Sequence, residues 1–213
     1  FSKQTVFTSG DTTVYMIDTP GHVDFSCETE RALSVQDYCI MVISATDGVR
    51  PHTKTLWQLL SARKIPTLIF VNKTDISDRT RDELFDELRT VLSSGCVNFS
   101  SIDTPSFYEE IASKDERLME EFFSHDKLCD NSIAEAIKSR RIFPCFFGSA
   151  LRLEGIEFFL CSSTTVTNQA LAVFTVKISV NRFVIRIILI DGDTHKTCAT
   201  PECIIADARH TVG

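Results

Sequence analysis

Apolar residues follow two rhythms along this chain, and the rhythms alternate. YCIMVIS at 38–44 and the apolar stretch at 66–71 are short continuous runs bounded by polar residues, the signature of strands buried on both faces. Between and after them the spacing turns helical. Leu56, Leu59 and Leu60 share one side of a predicted helix over 52–63, and Leu84, Leu88, Val91 and Leu92 form a stripe over 82–92. A further helix is predicted over 25–35. Near the start, residues 1–8 and 12–17 predict two strands joined at Ser9-Gly10-Asp11. Three short helical patterns, PSFYEEIA, DERLMEEFF and NSIAEAIKSRR, fill 105–140, before a strand at 142–147 and a helix start over 151–160. Strands alternating with helices predict βαβ units, hence an α/β fold with a mostly parallel sheet covered on both faces.

The texture changes after Leu160. CSSTTVTNQ is polar, so 161–170 is expected to be a linker. Beyond it, strand patterns at 173–179 and 182–190 with the turn DGDTHKT predict a second, β-rich barrel or sandwich over 171–213. The expected organisation is therefore 1–160, a linker, and the start of a β-barrel domain.

Charge and cysteine usage narrow the function classes. The net charge of −7 and pI near 5.2 argue against a stand-alone nucleic-acid binder. The basic clusters at 79–81 and 138–141 sit beside acids in helical patterns and are expected to be solvated helix faces. The eight cysteines include no CxxC pair and no zinc-like spacing with histidine. Free thiols in a reducing cytoplasm are the expectation, with Cys39 and Cys145 acting as small core hydrophobes. No apolar run approaches the roughly 20 residues that a membrane-spanning helix needs. The chain opens on Phe1 rather than Met, so its natural N-terminus is expected upstream.

Three loops carry candidate chemistry, each directly after a strand. The first is Asp18-Thr19-Pro20-Gly21-His22 after VYMI. A carboxylate at the carboxyl end of a parallel strand lies where open α/β sheets bind ligands. Asp18 can hold Mg²⁺ through a bound water, since that ion keeps several of its waters. Gly21, without a Cβ, lets its backbone N–H approach a γ-phosphate. Alone, such a sequence is often only a turn.

The second loop is Asn72-Lys73-Thr74-Asp75, after TLIFV. The Asp75 carboxylate only accepts hydrogen bonds and can take two parallel ones from guanine's ring N–H and exocyclic amine. Adenine offers neither donor there, and a buried carboxylate left unpaired is costly, so such a site rejects ATP. Asn72 can bridge to N7 and tie the loop to its neighbours, and the Lys73 stem can lie across the base. The competing reading makes Asp75 or Ser77 the N-cap of the following helix.

The third loop is Gly148-Ser149-Ala150, after IFPCFF, where small residues let a backbone N–H point at guanine O6. By itself it carries little weight. Together, in this order and each at a strand's carboxyl end, the three loops point to GTP.

These residues resemble the translational GTPases of the elongation factor G group. IDTPGHVDF is similar to that group's switch II loop, NKTD to its base-recognition loop and GSA to its third nucleotide loop. The resemblance implies a P-loop-NTPase-like G domain binding GTP or GDP with Mg²⁺, a ribosomal partner and hydrolysis in which His22 orients the attacking water. Without the preceding Pro-Gly, His22 would be read by default as a satisfied structural histidine. LSVQDYCIMVISATDGVRPHTKTLWQLL, the helical insert between NKTD and GSA, and VFTVKIS with RFVIRI are most similar to the tetracycline-resistance ribosomal protection proteins. The sequence contains no Gly-x-x-x-x-Gly-Lys-Ser/Thr phosphate loop, which the family places upstream, and no switch I threonine. The residues from Phe1 onward are thus expected to bind GTP poorly by themselves. A non-hydrolysing binding module, or a GTPase outside translation such as a sulfate-activation subunit, stays open as an alternative.

Overall fold

The computed structural model describes residues 3–9, 12–19, 32–34, 36–100, 104–156, 159 and 183–191. In chain order the strands are β1 (Lys3–Ser9), β2 (Thr12–Thr19), β3 (Tyr38–Ser44), β4 (Thr67–Asn72), β5 (Cys96–Asn98), β6 (Phe143–Phe147) and β7 (Phe183–Asp191). The helices are α1 (Pro51–Ala62), α2 (Arg81–Val91), α3 (Pro105–Ala112), α4 (Glu116–His125) and α5 (Asp130–Lys138). One seven-stranded sheet results, in the order β1-β2-β7-β3-β4-β6-β5. Only the outer pair β1 and β2 is antiparallel; every other pairing is parallel.

The continuous apolar runs are explained by what lies on each face. In β3 and β4, Ile40, Leu68 and Phe70 join one core cluster, while Cys39, Met41, Ile43, Ile69 and Val71 join the other. The first cluster takes Phe107, Ile111, Leu118, Ile133 and Ile137 from α3, α4 and α5. The second takes Leu56, Trp57, Leu60, Leu84 and Leu88 from α1 and α2. With helices on both sides, these strands have no face turned to water, and alternation disappears.

Helix starts follow side-chain capping. Thr80 accepts the Glu83 N–H while Glu83 accepts the Thr80 N–H, a capping box that sets the start of α2. Thr104 and Asp115 cap α3 and α4 with their side-chain oxygens.

Several expectations need correction. The helix start expected over 151–160 comes late: residues 151–155 form turns, because Leu153 and Gly155 take positive φ of 58° and 73°, and Ile156 and Phe159 are helical. Strand β5 was not foreseen; three residues are too few to show a period. The basic cluster at 138–141 is not a solvated face throughout. Arg140 packs against the rings of Trp57 and Phe143, and Arg141 pairs with Asp115. In the other cluster Arg79 is paired with Glu87. Of the helix expected over 25–35, Ala32 and Leu33 are helical, and most of the remainder lies outside the described residues.

The largest difference concerns β7. Residues 183–191 were expected in a separate barrel, yet they lie in the middle of this sheet, between β2 and β3. FVIRIILI is nearly all apolar and mostly β-branched, which suits a strand with parallel neighbours on both sides as well as it suits a barrel. In that position it also satisfies backbone groups of β2 and β3 that need a partner when buried. The expected linker at 161–170 and strand at 173–179 lie outside the described residues.

Candidate functional site

Strands β4 and β6 pair in register, Ile69 with Cys145, Phe70 with Phe146 and Val71 with Phe147. The segments leaving their carboxyl ends, 72–75 and 148–150, are therefore neighbours. Gly148 N–H donates to Val71 O at 3.0 Å, and Thr74 N–H donates to Gly148 O at 3.2 Å. From the other side, Ala45 N–H after β3 donates to Asn72 O at 2.8 Å.

Asn72 is the hub. Its Oδ1 accepts the N–H of Lys73 at 2.8 Å and that of Ala150 at 2.9 Å. Two backbone donors fix which end of the amide is oxygen, and leave the Nδ2 donors for another group. The bond to Lys73 also holds that residue at φ 64°, a conformation costing a non-glycine residue about 1 kcal/mol or more. The bond to Ala150 takes up one of the backbone N–H groups of the 148–150 segment, in which a donor to guanine O6 was expected.

The turn after β6 is set by close backbone approach. A Cβ on Gly148 would lie 2.1 Å from Glu154 O, so only glycine fits. Ser149 N–H donates to that same oxygen at 3.0 Å, and Ser149 is fully buried. Its Oγ accepts the N–H of Arg152 at 3.3 Å. The chain thus folds back on itself and carries Arg152 towards the 72–75 loop.

Asp75 stands at that junction with 5% of its side chain exposed, and its Oδ2 lies 3.2 Å from Arg152 Nε. It does not cap α2, since Thr80 performs that task. Nor does Ser77, whose Oγ donates to Ala45 O at 3.1 Å and accepts the Arg79 N–H at 3.2 Å. The capping alternative for this motif is therefore removed. Arg152 escaped the sequence reading; its only signal was an arginine two positions past the small-residue loop.

Asp18 lies next to last in β2, in register with Leu189 and, across β7, with Ile40. Asn72 is three strands away and four rows further along. At about 4.8 Å per strand and 3.3 Å per row, that is roughly 14 Å across and 13 Å along the sheet. Asp18 and Asp75 thus belong to two separate parts of one sheet edge. Gly21 and His22 lie outside the described residues.

The elongation factor Tu GTP binding domain model matches residues 1–188. This chain belongs to that family. Among curated proteins it is 34% identical to the oxytetracycline resistance protein of Streptomyces rimosus over 181 residues, covering 73% of this chain and 27% of that protein. To the tetracycline resistance protein TetM of Streptomyces lividans it is 31% identical, with the same coverage. The chain thus spans about a quarter of the length of these relatives. A solved structure from Thermus thermophilus superposes with a TM-score of 0.62 at 18% identity, covering 71% of this chain and 29% of that one.

A cavity of about 690 Å³ lies away from the 72–75 and 148–150 segments. It opens by Trp57, Lys64, Lys138 and Arg140, beside the amino-terminal end of β6. No cluster of three metal-ligating side chains occurs among the described residues. No described helix is long and apolar enough to cross a membrane.

Proposed function

We propose that this chain is the guanine-nucleotide-binding domain of a translational GTPase that acts on the ribosome. One observation carries the base-recognition half of that reading. Asp75 is a nearly buried carboxylate at a parallel strand's carboxyl end, free of any capping task, in a junction fixed by the Asn72 to Ala150 bond. Its two oxygens suit guanine's adjacent N–H donors. Asn72 Nδ2 is the group left to bridge to N7, the Lys73 stem would cover the base, and Ser149 and Ala150 would shape the O6 side.

The phosphate half rests on the sequence. Asp18 is a single carboxylate at a strand end, which fits Mg²⁺ held through water, because that ion takes one or two carboxylates and keeps several waters. When bound, Mg²⁺ would neutralise phosphate charge. Gly21 would offer its N–H to the γ-phosphate, and His22 would orient the attacking water. Most β/γ-phosphate binding would come from a phosphate loop that this sequence does not contain. The ribosome as partner is supported by the resemblance to ribosomal protection proteins and by the tetracycline resistance named in the relatives.

The test is nucleotide binding and turnover by the protein at its full natural length. GDP should be preferred to ADP by a factor on the order of 10⁴, since losing both donors strands a buried carboxylate. Asp75→Asn should shift preference towards xanthosine diphosphate, whose carbonyl at that position accepts from an amide. Ribosomes should stimulate GTP hydrolysis. Equal affinity for GDP and ADP would sink the base assignment, and hydrolysis indifferent to ribosomes would sink the partner.

A further inference from the structure

The carboxylate assigned to guanine already has a partner inside the chain. Arg152 Nε lies 3.2 Å from Asp75 Oδ2, and with Arg152 there only 5% of the Asp75 side chain is exposed. A guanidinium presents N–H groups on a planar H–N–C–N–H fork. Guanine's ring N–H and exocyclic amine make the same fork. Arg152 and the base are thus chemically alike as seen by Asp75.

We propose that Arg152 is a competitive latch on the base-recognition carboxylate, which guanine must displace to bind. The inference rests on the assignment of Asp75 to guanine and adds to it a residue that sets nucleotide affinity and association rate. The two arrangements exclude each other because guanine's two donors need both oxygens of the carboxylate, and Arg152 Nε already stands at Oδ2.

The surroundings are built for displacement. The Arg152 backbone is anchored, its N–H on the buried Ser149 Oγ at 3.3 Å, inside a turn fixed by Gly148 and Gly155. Its side chain is 64% exposed, so it can swing into water without disturbing a core. The contact is single and exposed on the arginine side, so water competes for the guanidinium even though Asp75 itself is nearly buried. A tight, buried pair would block the site outright. This one only raises the threshold for entry, and adenine, lacking the fork, gains nothing by opening it.

The test compares the wild type with Arg152→Gln and Arg152→Lys, at full natural length, by stopped-flow binding of a fluorescent GDP. Arg152→Gln should bind GDP about two- to fivefold more tightly, mostly through faster association, the size expected for an exposed ion pair. Arg152→Lys, a point charge without the fork, should fall between. The direction is diagnostic, because removing a cation near an anionic nucleotide would by simple electrostatics weaken binding. Unchanged or weaker GDP binding in Arg152→Gln, with the wild type still preferring GDP to ADP, overturns the latch alone. No preference for GDP in either protein overturns both the latch and the guanine assignment.

Discussion

Asn72 Oδ1 accepts the backbone N–H of Ala150 at 2.9 Å, joining loops that lie 78 residues apart in the chain. Because the same oxygen also takes the Lys73 N–H, one amide fixes both walls of the candidate base site. Replacing Asn72 by Ala strands two partly buried donors, and should cost about 1–3 kcal/mol in urea unfolding as well as GDP affinity. Asn72→Asp keeps the acceptor but loses the Nδ2 donors. It should retain most of the stability while still losing affinity. Equal affinity loss with no difference in stability between the two variants would contradict the hub.

Gly148 has no room for a side chain. A Cβ there meets Glu154 O at 2.1 Å, and backbone cannot yield as a flexible side chain can. Gly148→Ala should therefore destabilise by about 1–3 kcal/mol, the usual range for forced overpacking. Since the same turn carries Ala150 and Arg152, GDP binding should weaken with it. A variant that melts at the wild-type temperature would show that the turn relaxes freely.

What was legible in the sequence was what depends on local pattern. The continuous apolar run of β3 was read to its ends, Tyr38–Ser44, because burial on both faces demands an apolar residue at nearly every position. The three helices between β5 and β6 showed their stripes too. The α2 cap was readable in principle, as Thr80 precedes Glu83 by three positions, but nearby Asp75 and Ser77 offered competing candidates. The helix expected from Leu151 begins only at Ile156; positive φ at Leu153 and Gly155 keeps the residues before it in turns. Least legible were Arg152 on Asp75 and the placement of β7. Both depend on where the chain returns in space, which no local period records.

Asp115 supplies a pH-dependent contribution. The Arg141 hydrogen bond, helped by the Arg117 N–H, holds its carboxyl below the ordinary aspartate range. A lowered folded value means stability present above the unfolded value of about 3.9 and lost as pH falls through the folded one. Asp115→Asn keeps a good helix cap while removing the charge. It should cost no more than about 1 kcal/mol at pH 7, and the gap to wild type should close as pH falls through the folded Asp115 value. A gap constant from neutral pH down through that range, in urea unfolding at each pH, would mean that packing rather than charge is responsible.

Arg140 holds the far end of the sheet through a side chain rather than through strand pairing. Its guanidinium lies 5.1 Å from the centre of the Trp57 ring and 5.0 Å from that of Phe143. It also donates to Ile65 O and, at 2.8 Å, to Thr67 Oγ1, where β4 begins. Burial lowers the Arg140 pKa, yet an arginine stays charged, so this is a cation held against aromatic faces at physiological pH. Arg140→Met keeps an apolar stem of similar length and deletes both the donors and the charge. It should cost about 1–3 kcal/mol, from the lost hydrogen bonds to Ile65 O and Thr67 Oγ1 and the lost ring contact together. Arg140→Lys keeps the charge but cannot stack and donate at once, and should fall between. Trp57 is the chain's single tryptophan, so its emission reports directly on this contact. A shift in Trp57 fluorescence without loss of stability would leave the stacking real but energetically idle; neither change in either variant would remove Arg140 from the account of the fold.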